Sequence, residues 1–380
     1  MKIPAIILST CLAVSLIGCT SSGKEPPVKE DTLKDALNNQ FYIGTALNLN
    51  QIQGKDTIST NIVKHQFNSI VAENCMKSMY LQPEEGKFFF DDADKFVQFG
   101  EDNGMFIIGH TLIWHSQAPN WFFTDNKGKD VSKEVLTERM KNHITTVVSR
   151  YKGRIKGWDV VNEAILDDGT WRKSKFYEII GEDFIRLAFE FAHAADPEAE
   201  LYYNDYNEWH PGKRNTTIAL VKSLREKGIR IDAVGMQGHF GMDRPSLEEY
   251  QTTINSYDSA GIKVMITELD MSALPSPRSN VGANIADTEA YNKEMNPYTQ
   301  SLPDSVASAW GKRFADFFKL FLNNSDKIYR VTMWGVSDGD SWKNDFPMRG
   351  RTDYPLLFDR TYKAKPLVSK IIDMAEKSTN

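Results

Sequence analysis

The stretch Met105-Phe106-Ile107-Ile108-Gly109 leads directly into His110, and an apolar run with a polar end recurs along the chain. An almost unbroken apolar run of this length is typical of a parallel β-strand that is covered on both faces. On this pattern the sequence predicts eight strands. They are Phe41–Ala46, Ser69–Ala72, Met105–Gly109, Ile155–Val161, Leu201–Tyr203, Ala233–Met236, Lys263–Thr267 and Arg330–Met333.

Amphipathic helical patterns separate these strands. Residues 132–151 place their apolar side chains on one stripe, with Ser132 as the N-cap and Gly153 beyond the end. Further segments with this pattern are Phe176–Ala195, Lys213–Lys227, Ser246–Ala260, Val306–Leu322 and Lys365–Lys377. Eight strands that alternate with helices indicate an α/β protein with a single (β/α)8 TIM barrel. A two-domain doubly wound fold is the alternative, but no linker-like composition interrupts residues 40–378.

The interval between the seventh and eighth predicted strands is unusually long. Their first residues, Lys263 and Arg330, are 67 positions apart, and the surplus around residues 274–305 contains four prolines without clear periodicity. In a barrel, a segment that follows a strand lies on the C-terminal face, where substrates bind. We therefore expect an extended loop after strand seven on that face.

Composition and charge exclude several classes of protein. The 380 residues are 41% apolar and 25% charged, which is ordinary for a globular protein and excludes disorder, collagen and coiled coil. Lys and Arg number 45 against 51 Asp and Glu, which leaves a net charge of −6 and no basic surface of the kind that binds nucleic acid. No nucleic-acid partner is expected.

The N-terminus reads as a targeting segment. Residues 1–18 contain Lys2 and a short apolar run, a pattern that predicts a signal peptide. The segment LIGC at 16–19 resembles the bacterial lipobox, in which Cys19 would be the lipidated residue. Residues 19–37 would be a lipidated tether, and residues 38–380 the catalytic domain. The expected product is an exported cell-envelope lipoprotein, facing the periplasm or the cell surface and held by its lipid only. An uncleaved anchor or a buried first helix is the alternative.

Polar side chains follow the predicted strands from the second to the eighth. They are Glu73, Asn74, His110, Asn162, Glu163, Asn204, Asp205, Gln237, His239, Glu268 and Trp334. In a barrel these strand ends converge over one opening, where Glu163 and Glu268 face each other from strands four and seven. Opposed carboxyl groups with aromatic neighbours are typical of glycoside hydrolysis, in which one protonates the leaving oxygen and the other attacks carbon or activates water.

Seven motifs at these strand ends resemble those of glycoside hydrolase family 10 endo-1,4-β-xylanases, which are retaining enzymes of clan A. In this sequence they read ENCMK (73–77), HTLIWHSQ (110–117), WDVVNEA (158–164), NDYN (204–207), QGH (237–239), ITELD (266–270) and WGVSD (334–338). The resemblance covers roughly residues 38–372 in the family's order.

The resemblance implies a role for each matching residue. Glu163 would be the general acid/base and Glu268 the nucleophile of a double displacement on xylan, with the two carboxyl groups about 5–5.5 Å apart. Asn162 would bond the sugar 2-hydroxyl, and His239 would donate to Glu268. Glu73, Asn74 and Lys77 are expected to bind the non-reducing-side xylose. The residues expected around the cleaved bond are His110, Trp114, Gln117, Gln237, Trp334 and Trp342. Tyr206 is expected toward the leaving group, and Asn204 is also expected to bind substrate.

Further expectations accompany this assignment. A cis peptide bond is expected at His110–Thr111, no metal or cofactor is implied, and the protein is expected to act as a monomer on xylan or xylo-oligosaccharides. The sequence departs from the family at Met79-Tyr80, where members usually carry Trp, and Cys75 is interpreted as a small buried residue. A β-1,4-glucanase or mixed xylan/glucan glycosidase on the same scaffold, and a glycan-binding lipoprotein without catalysis, are the alternatives.

Overall fold

Eight parallel strands close into a barrel in the computed structural model of the protein, which describes residues 31–276 and 284–379. The strands are β1 Tyr42–Leu47, β2 Ser69–Ala72, β3 Phe106–Trp114, β4 Gly157–Asn162, β5 Glu200–Asp205, β6 Ala233–Met236, β7 Lys263–Met271 and β8 Ile328–Met333. Each strand pairs in parallel with the next, and β8 pairs with β1, with Tyr42 opposite Arg330. The predicted (β/α)8 fold is confirmed.

Four strands are longer than predicted, β3, β5, β7 and β8, and the extensions of β3 and β7 are the longest. β3 continues from Gly109 to Trp114, and β7 continues from Thr267 to Met271, although both extensions contain polar residues. All residues of these extensions are buried. Polar side chains stay in the strand because they bond to polar groups of other strands, as His110 does to Asp159 and Glu268 does to Asn204, so the strand does not end where the apolar run ends.

Helices surround the barrel. In the part of the chain that the structure describes, they are α1 Leu33–Ala36, α2 Leu49–Ile52, α3 Thr57–Gln66, α4 Ser78–Leu81, α5 Asp91–Asp102, α6 Lys133–Arg150, α7 Lys175–Ile180, α8 Asp183–Ala195, α9 Pro211–Glu226, α10 Leu247–Ser259, α11 Asp304–Leu322 and α12 Pro366–Thr379. The single helix predicted over 176–195 is two helices, because Gly181 adopts φ 85° and ends α7. No helix within the described ranges has the length and hydropathy needed to cross a bilayer.

The folded domain begins earlier than predicted. Leu33 and Leu37 are fully buried, and α1 packs against α12. The domain therefore starts by Thr32, not at residue 38, because two leucines four positions apart supply one apolar helix face within an otherwise polar segment. The predicted signal peptide and Cys19 lie outside the described residues.

The apolar core has two layers. One fills the barrel interior with residues such as Val71, Ile108 and Met265, and the larger one lies between the strands and the helices. Gly109 shows how closely these layers pack, since a Cβ there would lie 2.1 Å from the ring of Trp158. This rigid core holds the carboxyl ends of the strands at one face.

Candidate active site

A cavity opens at the carboxyl ends of the strands. Thirteen of the fifteen residues predicted for the site line it: Glu73, Asn74, Lys77, His110, Trp114, Gln117, Asn162, Glu163, Gln237, His239, Glu268, Trp334 and Trp342. The cavity also contains Ile285, from the loop after β7, which the sequence does not single out. The part of the predicted loop that the structure describes therefore reaches the cavity.

Backbone hydrogen bonds between neighbouring strands place the two central carboxyl groups. The Glu163 amide donates to the Asn204 carbonyl at 2.9 Å, and the Glu268 amide donates to the Gln237 carbonyl at 2.7 Å. Glu163 also has a left-handed backbone, with φ 59°, which is uncommon outside glycine and concentrates at functional sites. Both side chains are thus held by the barrel itself.

Glu163 lies in an environment that favours its neutral form. It is 4% exposed, and it accepts hydrogen bonds from Trp114 Nε1 at 2.9 Å and from Gln237 Nε2 at 3.0 Å. Burial, followed by the nearby charge of Asp205, raises the pKa of Glu163 above its ordinary value, although these two donors lower it in part. Glu163 can therefore hold a proton to a higher pH than a solvated glutamate can.

Glu268 lies in an environment that favours its charged form. Asn204 Nδ2 donates to its Oε1 at 2.8 Å, and His239 Nε2 lies 3.3 Å from its Oε2. Burial alone would raise the pKa of Glu268, but the His239 bond and the charges of His110, His239 and Lys77 lower it below its usual range. Two carboxyl groups with opposite pKa shifts can serve as an acid and a nucleophile in one cavity.

Buried carboxylates outside the predicted set support the two histidines. His239 Nδ1 lies 3.0 Å from Asp270, which also accepts a 2.7 Å bond from Trp342 Nε1. His110 Nδ1 lies 2.8 Å from Asp159. A signal for Asp270 exists in the sequence, because residues two apart on a strand share a face and Asp270 follows Glu268 by two.

The wall of the cavity includes the group formed by Glu73, Asn74 and Lys77. Lys77 is almost fully buried, its Nζ donates to Asn74 Oδ1 at 3.0 Å, and it lies 4.9 Å from the ring centre of Trp114. Burial lowers the pKa of Lys77, while the neighbouring charges of Glu73, Glu268 and Glu163 oppose that shift. Lys77 is therefore part of the polar wall rather than a solvated surface charge.

Asn204 and Tyr206 do not line the cavity. Asn204 is fully buried behind it and bonds Asn162 and Glu268, because the missing side chain of Gly235 leaves room for its amide. Tyr206 is buried beside the cavity, where its hydroxyl accepts a 2.8 Å bond from Arg172. The structure places both residues in the support of the site, not on its surface.

Arg172, which sequence reasoning missed, connects this support to Glu163. Its Nε donates to the Glu163 carbonyl at 2.8 Å, while its Nη2 holds Tyr206. Arg172 lies between strands in the loop after β4, nine residues beyond Glu163, so no strand-end pattern points to it.

Two local expectations are confirmed, and one stays open. The His110–Thr111 peptide bond is cis. Cys75 is buried, and burial raises the pKa of its thiol to about 12, so it is not a reactive thiolate. The carboxyl separation of about 5–5.5 Å stays a prediction.

Three comparisons with known proteins agree on one family. Residues 32–374 match the family model described as Glycosyl hydrolase family 10. The chain is 51% identical to endo-1,4-beta-xylanase A of Xylanibacter ruminicola, over 96% of this chain and 98% of that protein, and 42% identical to endo-1,4-beta-xylanase of Geobacillus stearothermophilus, over 90% and 98%. The solved structure of a GH10 endoxylanase from a sugarcane soil metagenome superposes with a TM-score of 0.87 at 45% identity, covering 90% of this chain and 99% of that one.

Proposed function

The chain belongs to glycosyl hydrolase family 10, and from this membership and the geometry of its cavity we propose that it is a retaining endo-1,4-β-xylanase. The observation that carries the mechanism is the pair of buried carboxyl groups whose pKa values shift in opposite directions, Glu163 upward and Glu268 downward. The xylanase relatives support xylan as the substrate in preference to a β-1,4-glucan.

The first step is glycosylation of the enzyme. An oxygen of ionised Glu268 bonds to the anomeric carbon while the bond from that carbon to the leaving sugar's oxygen breaks. Protonated Glu163 gives its proton to that oxygen, so the leaving sugar departs as a neutral alcohol. Asn204 and His239 orient Glu268, and Trp114 and Gln237 orient Glu163.

The second step releases the sugar. Glu163, now ionised, takes a proton from water, whose oxygen bonds to the anomeric carbon as Glu268 leaves as a carboxylate. Two displacements on one carbon retain the anomeric configuration. Asn162 Nδ2 lies 3.3 Å from Glu163 Oε1, and its proposed bond to the sugar 2-hydroxyl would strengthen at each transition state.

Release of reducing sugar from xylan by the wild type, Glu163→Ala and Glu268→Ala tests the proposal. The wild type should act on xylan far faster than on carboxymethylcellulose, and each variant should lose at least about a thousandfold in kcat. Glu163→Gln and Glu268→Gln keep the side-chain shape and control for folding, which thermal unfolding checks. Full activity in either alanine variant, or a preference for carboxymethylcellulose, would contradict the assignment.

The stereochemistry distinguishes the two roles. Proton NMR of the first product should show the β-anomer if the enzyme retains configuration. Azide should restore turnover of an activated aryl xylobioside by Glu163→Ala and give a β-glycosyl azide, because the small anion replaces water without needing a base. Formation of the α-anomer by the wild type would indicate a single displacement and remove Glu268 as nucleophile.

We also propose that the protein is an exported lipoprotein anchored through Cys19 and acting as a monomer. The support is the apolar segment ending in LIGC at 16–19 and the polar residues that follow it. Metabolic labelling with a fatty-acid analogue should mark the wild type and not Cys19→Ala, and cell fractionation should move that variant out of the membrane fraction. Labelling of Cys19→Ala would refute the anchor.

A further inference from the structure

Two exposed apolar side chains stand beside the cavity. Met79 and Tyr80 lie on the short helix α4 and each expose 42% of their surface. They lie two and three positions after Lys77 in the chain, and the Tyr80 amide donates to the Lys77 carbonyl at 2.9 Å.

Gln117 ties this pair to the cavity. Its side chain lines the cavity, and its Nε2 donates to the Tyr80 hydroxyl at 3.4 Å. Its backbone carbonyl accepts a 3.0 Å bond from the Met79 amide. The phenol ring is therefore attached to the rim by a residue of the site, with much of its surface left open to solvent.

An exposed aromatic ring whose hydroxyl accepts a hydrogen bond from a residue of the site suits a pyranose sugar. The C–H face of a xylose residue packs on the ring, while its hydroxyl groups stay hydrated or reach polar neighbours. An endo-acting enzyme binds a polymer that continues beyond the cavity. On the proposed assignment, Glu73, Asn74 and Lys77 hold the non-reducing-side xylose, so the next residue outward passes the rim beside Lys77.

We propose that Tyr80, flanked by Met79, forms an additional glycone subsite that stacks the xylose residue one position beyond the sugar held by Glu73, Asn74 and Lys77. The subsite rests on the proposed xylanase function and extends it. It adds affinity for long chains and leaves the chemistry of bond cleavage unchanged.

The test compares two substrates that differ by one sugar. Release of 4-nitrophenol from the β-xylobioside needs only the cavity, whereas the β-xylotrioside places its third xylose at Tyr80. We expect Tyr80→Ala to lower kcat/KM for the trioside about two- to tenfold and to leave the bioside unchanged. Tyr80→Phe keeps the ring without the Gln117 bond and should retain the wild-type ratio of the two substrates.

Tyr42→Ala is the matched control. Tyr42 exposes 41% of its surface but begins β1, at the opposite end of the barrel, so its loss should not alter the ratio. An unchanged ratio in Tyr80→Ala, an equal loss on both substrates, or an equal loss in Tyr80→Phe would each overturn the stacking subsite. Failure of the wild type to cleave either substrate would overturn the proposed function, and the subsite with it.

Discussion

The substitution Asn204→Ala tests whether this buried amide supports Glu268 or binds substrate. Asn204 Nδ2 donates to Glu268 Oε1 at 2.8 Å and lies 3.0 Å from Asn162 Oδ1, and its own Oδ1 accepts from Thr267 at 2.6 Å. A hydrogen bond to a charged group contributes about 1.5–3 kcal/mol, so removing it lowers the ratio of ionised to protonated Glu268 about 10- to 150-fold.

The pH dependence of kcat/KM on an aryl xylobioside measures this change. Glu268 must be ionised to attack, and loss of a donor raises its pKa, so the acidic limb of the profile should move to higher pH. On that limb the activity should fall by about the same 10- to 150-fold, and it should recover as the pH rises. KM should change little, because Asn204 lies outside the cavity wall.

A second buried amide provides the control. Asn324 is buried and bonds Gln251 Oε1 and the Leu320 carbonyl, each at 2.8 Å, away from the cavity. Asn204→Ala and Asn324→Ala should both lose about 2–4 kcal/mol in the free energy of unfolding, but only the first should alter the pH profile. A raised KM with an unmoved acidic limb in Asn204→Ala would refute the supporting role and restore the prediction that Asn204 contacts substrate.

Three other substitutions probe the surroundings of Glu163. Gln237→Ala removes a 3.0 Å donor to the ionised form of Glu163, so its pKa should rise further and the basic limb of the kcat/KM profile should move to higher pH; a shift to lower pH would contradict this. Arg172→Ala removes the donor to the Glu163 carbonyl and should slow xylotriose hydrolysis about tenfold. Hydrolysis of a dinitrophenyl xylobioside should keep its rate, because that leaving group needs no proton. Equal losses on both substrates would indicate general damage. Lys213→Met strips buried Asp205 of its 2.9 Å partner and should lower the free energy of unfolding in urea at neutral pH by about 3–5 kcal/mol. No loss at neutral pH would show that Asp205 is not a buried charge.

Local patterns in the sequence were enough for the fold. The bounds of β2 and β6 match the apolar runs because each strand is short and buried along its whole length. Helix α6 begins after Ser132, whose hydroxyl accepts from the Val135 amide, so this start is set by nearest neighbours in the chain. Where neighbouring residues set the bounds of an element, the sequence predicts those bounds well. In β3 and β7 polar residues continue the strand, so the end of the apolar run places the end of the strand too early.

Side-chain direction at the strand ends could not be read from the same patterns. Asn162 is the last residue of β4 and Asn204 the next-to-last of β5, yet only Asn162 reaches the cavity. Asn204 turns sideways because Gly235 on the neighbouring strand has no side chain, and a Cβ there would lie 2.3 Å from the Asn204 amide oxygen. The space beside a residue depends on a strand about thirty positions away, which no local period reports.

The sequence by itself therefore determines the order of strands and helices and the presence of two glutamates at opposed strand ends. Which carboxyl group keeps its proton is a property of the tertiary structure. Glu163 lies near Asp205 from β5, whereas Glu268 lies near His239, His110 and Lys77 from three other parts of the chain. Electrostatic interactions act through space and strengthen on burial, so the two glutamates acquire opposite tendencies only when the barrel closes around them.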